Sequence, residues 1–137
     1  MPNSALFHKI RALTYDLTSE KAQAVQHLDE NIEIVLCDIT KNDDVERASK
    51  DSWVVFALTD FRGQLDKREV TIHERIMMAD AAALSEIPYY TFSAKEDATE
   101  ISDGKLIILH CTQKAMIRDY ITEKRPQLKS IFIEPDF

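Results

Sequence analysis

Glycine is nearly absent from this 137-residue chain, which contains only Gly63 and Gly104. A dinucleotide fold normally places three glycines in its first strand-to-helix turn, and a P-loop needs at least two. Neither fingerprint exists here, so any nucleotide function must work without the standard phosphate cradle. Cysteine is also scarce. Cys37 and Cys111 are too few for a disulfide scaffold and lack C-x-x-C spacing, which fits a reducing cytosol. No apolar run approaches the roughly 20 residues needed to cross a bilayer, and the amino terminus has no signal-peptide pattern. Positive charge is in deficit: 17 Lys and Arg stand against 24 Asp and Glu, a net charge of −7. Such a surface repels phosphate backbones and argues against nucleic acid as a partner.

What remains is the composition of an ordinary globular protein, with 45% apolar and 30% charged residues, in a length that suits a single domain over residues 1–137. Apolar runs alternate with helix-length amphipathic stretches, the pattern of an α/β fold. Short strands are expected at Lys9 to Thr14 and Ile32 to Leu36, with a helix between them capped by Thr18 or Ser19 and running to Leu28. Ala22, Val25 and Leu28 share one face of that helix. Asp43-Asp44 suits the start of a short helix through Ser49. Trp53 to Leu58 is the strongest strand, continuously apolar like a parallel strand covered on both faces. A long helix from about Asp66 to Ser85 follows, then a strand at Tyr89 to Phe92. Lys95 to Lys105 reads as a polar loop turning at Asp103-Gly104. A helix from Thr112 to Lys124, with Ala115, Met116, Tyr120 and Ile121 on its apolar side, stops at Pro126 before a last strand at Ile131 to Ile133. The expected architecture is a parallel sheet with helices on both faces.

Several of these segments resemble the NmrA-like family, which are atypical short-chain dehydrogenases/reductases. Ile10-Arg11-Ala12-Leu13-Thr14 is similar to the family's second strand, and Ile34-Val35-Leu36-Cys37-Asp38-Ile39 to its third strand and the turn after it. Val55 to Phe61 resembles the fourth strand with its Thr-Asn-aromatic end, and Ala79-Asp80-Ala81-Ala82 the helix that follows. Phe92-Ser93-Ala94-Lys95-Glu96-Asp97-Ala98 is similar to the family's Phe-Ser-Ser-Leu-Glu-Asp-Ala segment. His110 with Lys114 resembles the His-x-x-x-Lys helix start that replaces the dehydrogenase Tyr-x-x-x-Lys. Each match is unspecific alone; six in the same order and spacing are not.

The resemblance implies an incomplete Rossmann-like sheet, because no segment matches the family's first strand and glycine-rich turn. In the doubly wound order that strand lies at the sheet centre. Its absence leaves ladders unpaired, so the halves close up, a partner chain fills the slot, or the chain is a remnant. The resemblance also implies NADP as cofactor, yet other equipment differs. Tyr15 stands where the family has a basic residue for the 2′-phosphate, Cys37 where it has Gly, and Asp60 where it has Asn. The family's Arg-Pro-Gly-Phe is similar to Glu134-Pro135-Asp136-Phe137, an acid replacing the cation. Very weak NADP affinity is the expectation.

Candidate site residues follow from these positions. His110 and Lys114 lie one turn apart on a helix face, where Lys114 can hold a ribose and His110 can donate a proton near neutral pH. The plainer reading is an exposed His beside a surface Lys. Ser93 sits near the dehydrogenase serine position and can polarise a carbonyl, or simply satisfy a backbone group. Asp38 and the Ile39 amide, at the carboxyl edge of a strand, can meet an adenine; an Asp there more often bonds its own turn. Thr59, Asp60 and Phe61 end the strongest strand at the same edge, although Asp60 would repel a pyrophosphate. His73-Glu74 begins like H-E-x-x-H, but Met77 takes the second His position and no metal is expected. Cys111 beside His110 is at most mildly activated, and Met77-Met78 reads as core filler.

The reading that these residues favour is a non-catalytic regulator whose relatives sense NADP and control partner proteins. An NAD(P)-dependent oxidoreductase of the atypical short-chain type is the alternative. The first implies a protein partner or a homo-oligomer, in the cytoplasm or also the nucleus.

Overall fold

The computed structural model describes residues 9–58 and 68–134. The chain divides into two compact units, one up to Ala48 and one from Ser49. Among the described residues all the strand pairings are parallel, as expected, and the five strands form two sheets. Among the described residues there is no further strand to join the two ladders.

The first unit is β1 (Ile10–Thr14), α1 (Glu20–Gln26), β2 (Ile32–Leu36) and α2 (Asn42–Ser49) in order, with β1 and β2 paired from Ile10↔Ile32 to Thr14↔Leu36. Ser19, not Thr18, caps α1: its hydroxyl accepts from the Ala22 amide at 3.2 Å. The helix ends at Gln26, two residues short of the expected Leu28, which is exposed, so the apolar face amounts to Ala22 with half-buried Val25. Arg11 ties β1 to the end of α2 by donating to the Ala48 carbonyl at 3.0 Å.

The second unit holds β3 (Val54–Ala57), α3 (Arg68–Leu84), β4 (Tyr89–Ser93), α4 (Ala98–Ile101), α5 (Leu109–Lys124) and β5 (Lys129–Ile133). The order is β3-β4-β5, with Ala57↔Phe92 and Phe92↔Phe132 in register, so β4 is central and nearly all buried. Its core joins Tyr90 and Phe92 to Ala79 and Ala82 of α3, Ile117 and Ile121 of α5, and Ile87 and Leu128. The alanines of α3 leave no bulk between helix and sheet, and the helix is buried on several sides, from Glu74 and Arg75 round to Ala82. That explains why its apolar residues follow the helical period only roughly.

Three sequence expectations need correction here. β3 is not covered on both faces: among the described residues it is an edge strand, and Phe56 is 59% exposed. The polar stretch after β4 contains a helix, α4, capped by the Asp97 carboxylate on the Thr99 amide at 2.9 Å. The expected turn does lie at Asp103-Gly104, both with positive φ. α5 begins at Leu109 rather than Thr112, and its buried face uses Ala115, Ile117 and Ile121 while Met116 is exposed. Met77 is buried and Met78 packs on the core, as filler residues should. Among the described residues, no helix is long and apolar enough to cross a membrane.

Candidate functional site

In the first unit the relevant edge is the carboxyl end of β1 and β2. Asp16 follows β1, and its Oδ1 accepts from the Thr18 amide at 2.8 Å and the Thr18 hydroxyl at 2.7 Å. Those bonds, the hydroxyl's first, hold the carboxyl below its ordinary pKa, so it stays ionised at neutral pH. Tyr15 beside it is 87% exposed. Asp38 is arranged in the same manner: Oδ1 accepts from the Thr40 hydroxyl at 2.6 Å and the Thr40 amide at 3.0 Å, and Oδ2 lies 3.4 Å from Lys41 Nζ. The Thr40 hydroxyl is again the leading cause of a lowered pKa. The Asp38 amide is taken by Asp44 Oδ2 at 3.0 Å, and Ile39 is half-buried in the turn. Cys37 is buried, and burial above all raises its pKa.

The second unit brings two of the sequence-predicted catalytic residues together. Ser93 is the last residue of the central strand, and Lys114 stands in the second turn of α5. Lys114 Nζ donates to Ser93 Oγ at 3.0 Å. Burial, then Arg75, then Lys95 lower the Lys114 pKa, while Cys111 opposes them. His110 is half-buried one helical turn earlier on the same side of α5. Thr59, Asp60 and Phe61 lie outside the described residues.

Two residues that sequence reasoning passed over matter here. Asp16 has a readable signal, an acid two residues after the strand and next to Tyr15. Arg75 had none: a single cation in a helix reads as surface, yet it is fully buried.

A family model for the NmrA-like family matches residues 4–135. The chain belongs to the NmrA-like family. Solved structures of NmrA, described as a negative transcriptional regulator, share its fold. The NmrA complex with NADP is 19% identical with a TM-score of 0.73, and the complex with NAD is 19% identical with a TM-score of 0.74. Each covers 93% of this chain, which spans only 37% of the NmrA chain. An epimerase-like protein from Bacteroides thetaiotaomicron is similar at 12% identity and a TM-score of 0.64, covering 93% of this chain and 59% of its own. No curated protein matches the sequence. At the end of β1 in this NmrA-like chain stand a phenol, Tyr15, and an ionised carboxylate, Asp16.

Proposed function

We propose that this NmrA-like chain is a non-catalytic regulatory module that binds proteins and has a degenerate dinucleotide site. The observation that carries this reading is Asp16, held ionised by Thr18 at the end of β1 beside Tyr15. A carboxylate in that position can accept from a ribose hydroxyl but opposes a phosphate there. With no glycine turn among these residues, little phosphate affinity is left. Calorimetric titration of the 137-residue chain with NADP is expected to show no saturable binding at micromolar concentrations; tight binding would overturn the reading. Its partners are proteins, a second copy or another chain. The exposed apolar residues Trp53, Phe56 and Leu58 around edge strand β3 support that choice.

The Ser93–Lys114 contact supports a second reading, an NAD(P)-dependent oxidoreductase, because His110 lies one turn away. On the regulator reading, carbonyl substrates give no NADH or NADPH oxidation above the protein-free rate. A general acid contributes about 10²–10⁴-fold. A measured reductase rate that His110→Ala lowers by that factor would establish the enzyme instead.

A further inference from the structure

Arg75 is 0% exposed, and its Nε, Nη1 and Nη2 have no hydrogen-bond partner. A guanidinium cannot shed its charge at any ordinary pH, so a buried one without an acceptor is costly. Glu74 partly offsets the charge through space but takes no hydrogen bond from it.

The fold shows where this cation lies. α3 and α5 each link neighbouring parallel strands in one direction across the sheet, so right-handed crossovers put them side by side on one face, running the same way. Asp80 of α3 clamps them: it accepts from Tyr120 Oη at 2.9 Å and from Arg125 Nε at 2.8 Å. Arg75 lies about 7.5 Å up α3 from Asp80, and Lys114 about 9 Å up α5 from Tyr120 at the rise of an α-helix. Both cations therefore lie on the same side of the clamp, toward the carboxyl end of the sheet, where Lys114 meets Ser93. The electrostatics agree, since Arg75 and Lys95 both disfavour the charged form of Lys114.

The hydrogens in this cluster all point to one kind of ligand. Lys114 donates to Ser93 Oγ, which leaves the serine hydroxyl hydrogen and two ammonium hydrogens to give, beside the guanidinium's own. Glu74 apart, the acids next to Ser93 and Lys95 along the chain are engaged elsewhere. Glu96 pairs with Arg118 at 3.6 Å, and Asp97 caps α4 and accepts from the Thr112 hydroxyl at 2.8 Å. A cluster made of donors and cations needs a ligand made of acceptors. We propose that Arg75, Lys114 and Ser93 form a receptor for a small oxoanion, entered from the half-buried Lys114 side. This goes beyond the regulatory reading and needs no dinucleotide. Carboxylates and phosphate or sulfate groups share the required chemistry.

Thermal unfolding of the 137-residue chain in sodium acetate, sulfate and chloride at equal ionic strength tests this. Acetate or sulfate is expected to raise the melting temperature along a saturating curve, and chloride is not. The acetate arm identifies a carboxylate ligand and the sulfate arm a tetrahedral one. Sulfate also stabilises proteins by exclusion from their surface, without saturation, so Arg75→Met supplies the comparison. That variant should lose the saturating part, a weakening of at least about tenfold, while melting in chloride no lower than the parent. Lys114→Met should weaken it independently, which keeps the test open if Arg75→Met does not fold. Equal responses from the parent and both variants, or no saturating response in either arm, would overturn the proposal.

Discussion

Phe92→Ala is expected to cost the second unit about 3–5 kcal/mol of unfolding free energy, the usual range for removing a buried ring from a core that cannot collapse. Phe92 is the residue on which the unit's layers meet. It sits in central strand β4, in register with Ala57 and Phe132, and packs with Ala79 and Ala82 of α3 and with Ile117 and Ile121 of α5. The matched control is Phe56→Ala in edge strand β3. That ring is largely exposed, so its loss should stay within about 1 kcal/mol. Urea unfolding followed by circular dichroism measures both, the shift in midpoint giving the difference at constant slope. Equal losses for the two variants would contradict the assignment of β4 to the centre and β3 to the edge.

The same pair of residues shows what the sequence makes legible. Both phenylalanines lie in apolar runs, and both runs are strands. Ile32 to Leu36 was readable to the residue because β-branched side chains favour a pleated backbone wherever it ends up. Coverage is another matter. An apolar run reports what a strand can bury, not whether neighbours exist to bury it, and among the described residues β3 pairs with β4 alone. Helix ends were legible where a side chain caps them, as Ser19 does α1. α5 begins after Ile108, which offers no cap, and its first turn was missed. α4 could have been found: Asp97-Ala98-Thr99-Glu100 has the spacing of a capping box.

The site divides along the same line. Ser93 and Lys114 are singled out by family resemblance, and their strand-end and helix-start positions bring them into contact. Arg75 could not be read, because its burial depends on packing between residues far apart in the chain. Nothing local distinguishes it from a surface arginine. The Asp38 carboxylate lies between the two cases: its turn was legible, and its engagement with Thr40 and Lys41 is the outcome that the residue type most often gives.

The register of α3 against α5 rests on Asp80, and Asp80→Ala is expected to lower stability by about 2 kcal/mol. The carboxylate accepts one charge-assisted bond from Arg125 Nε at 2.8 Å and another from Tyr120 Oη at 2.9 Å. Charged hydrogen bonds are each worth about 1.5–3 kcal/mol, but these side chains are about a third exposed, which discounts the ion pair. A double-mutant cycle with Arg125→Ala should return a coupling of about 1 kcal/mol; a value near zero would mean that solvent screens the pair. The tyrosine arm has its own pH signature. Burial first, then the Asp80 bond, raises the phenol pKa above its ordinary 10.0. The folded state therefore holds that proton more tightly than the unfolded chain. The resulting stability is complete below the ordinary phenol value and lost as pH rises through the folded one. Asp80→Ala should reduce this alkaline loss, removing the part that the Asp80 bond and charge contribute and leaving the part due to burial, together with the baseline contribution. It should also weaken the saturating response to acetate or sulfate while leaving Arg75, Lys114 and Ser93 in place, because the helices that hold two of them are no longer clamped together.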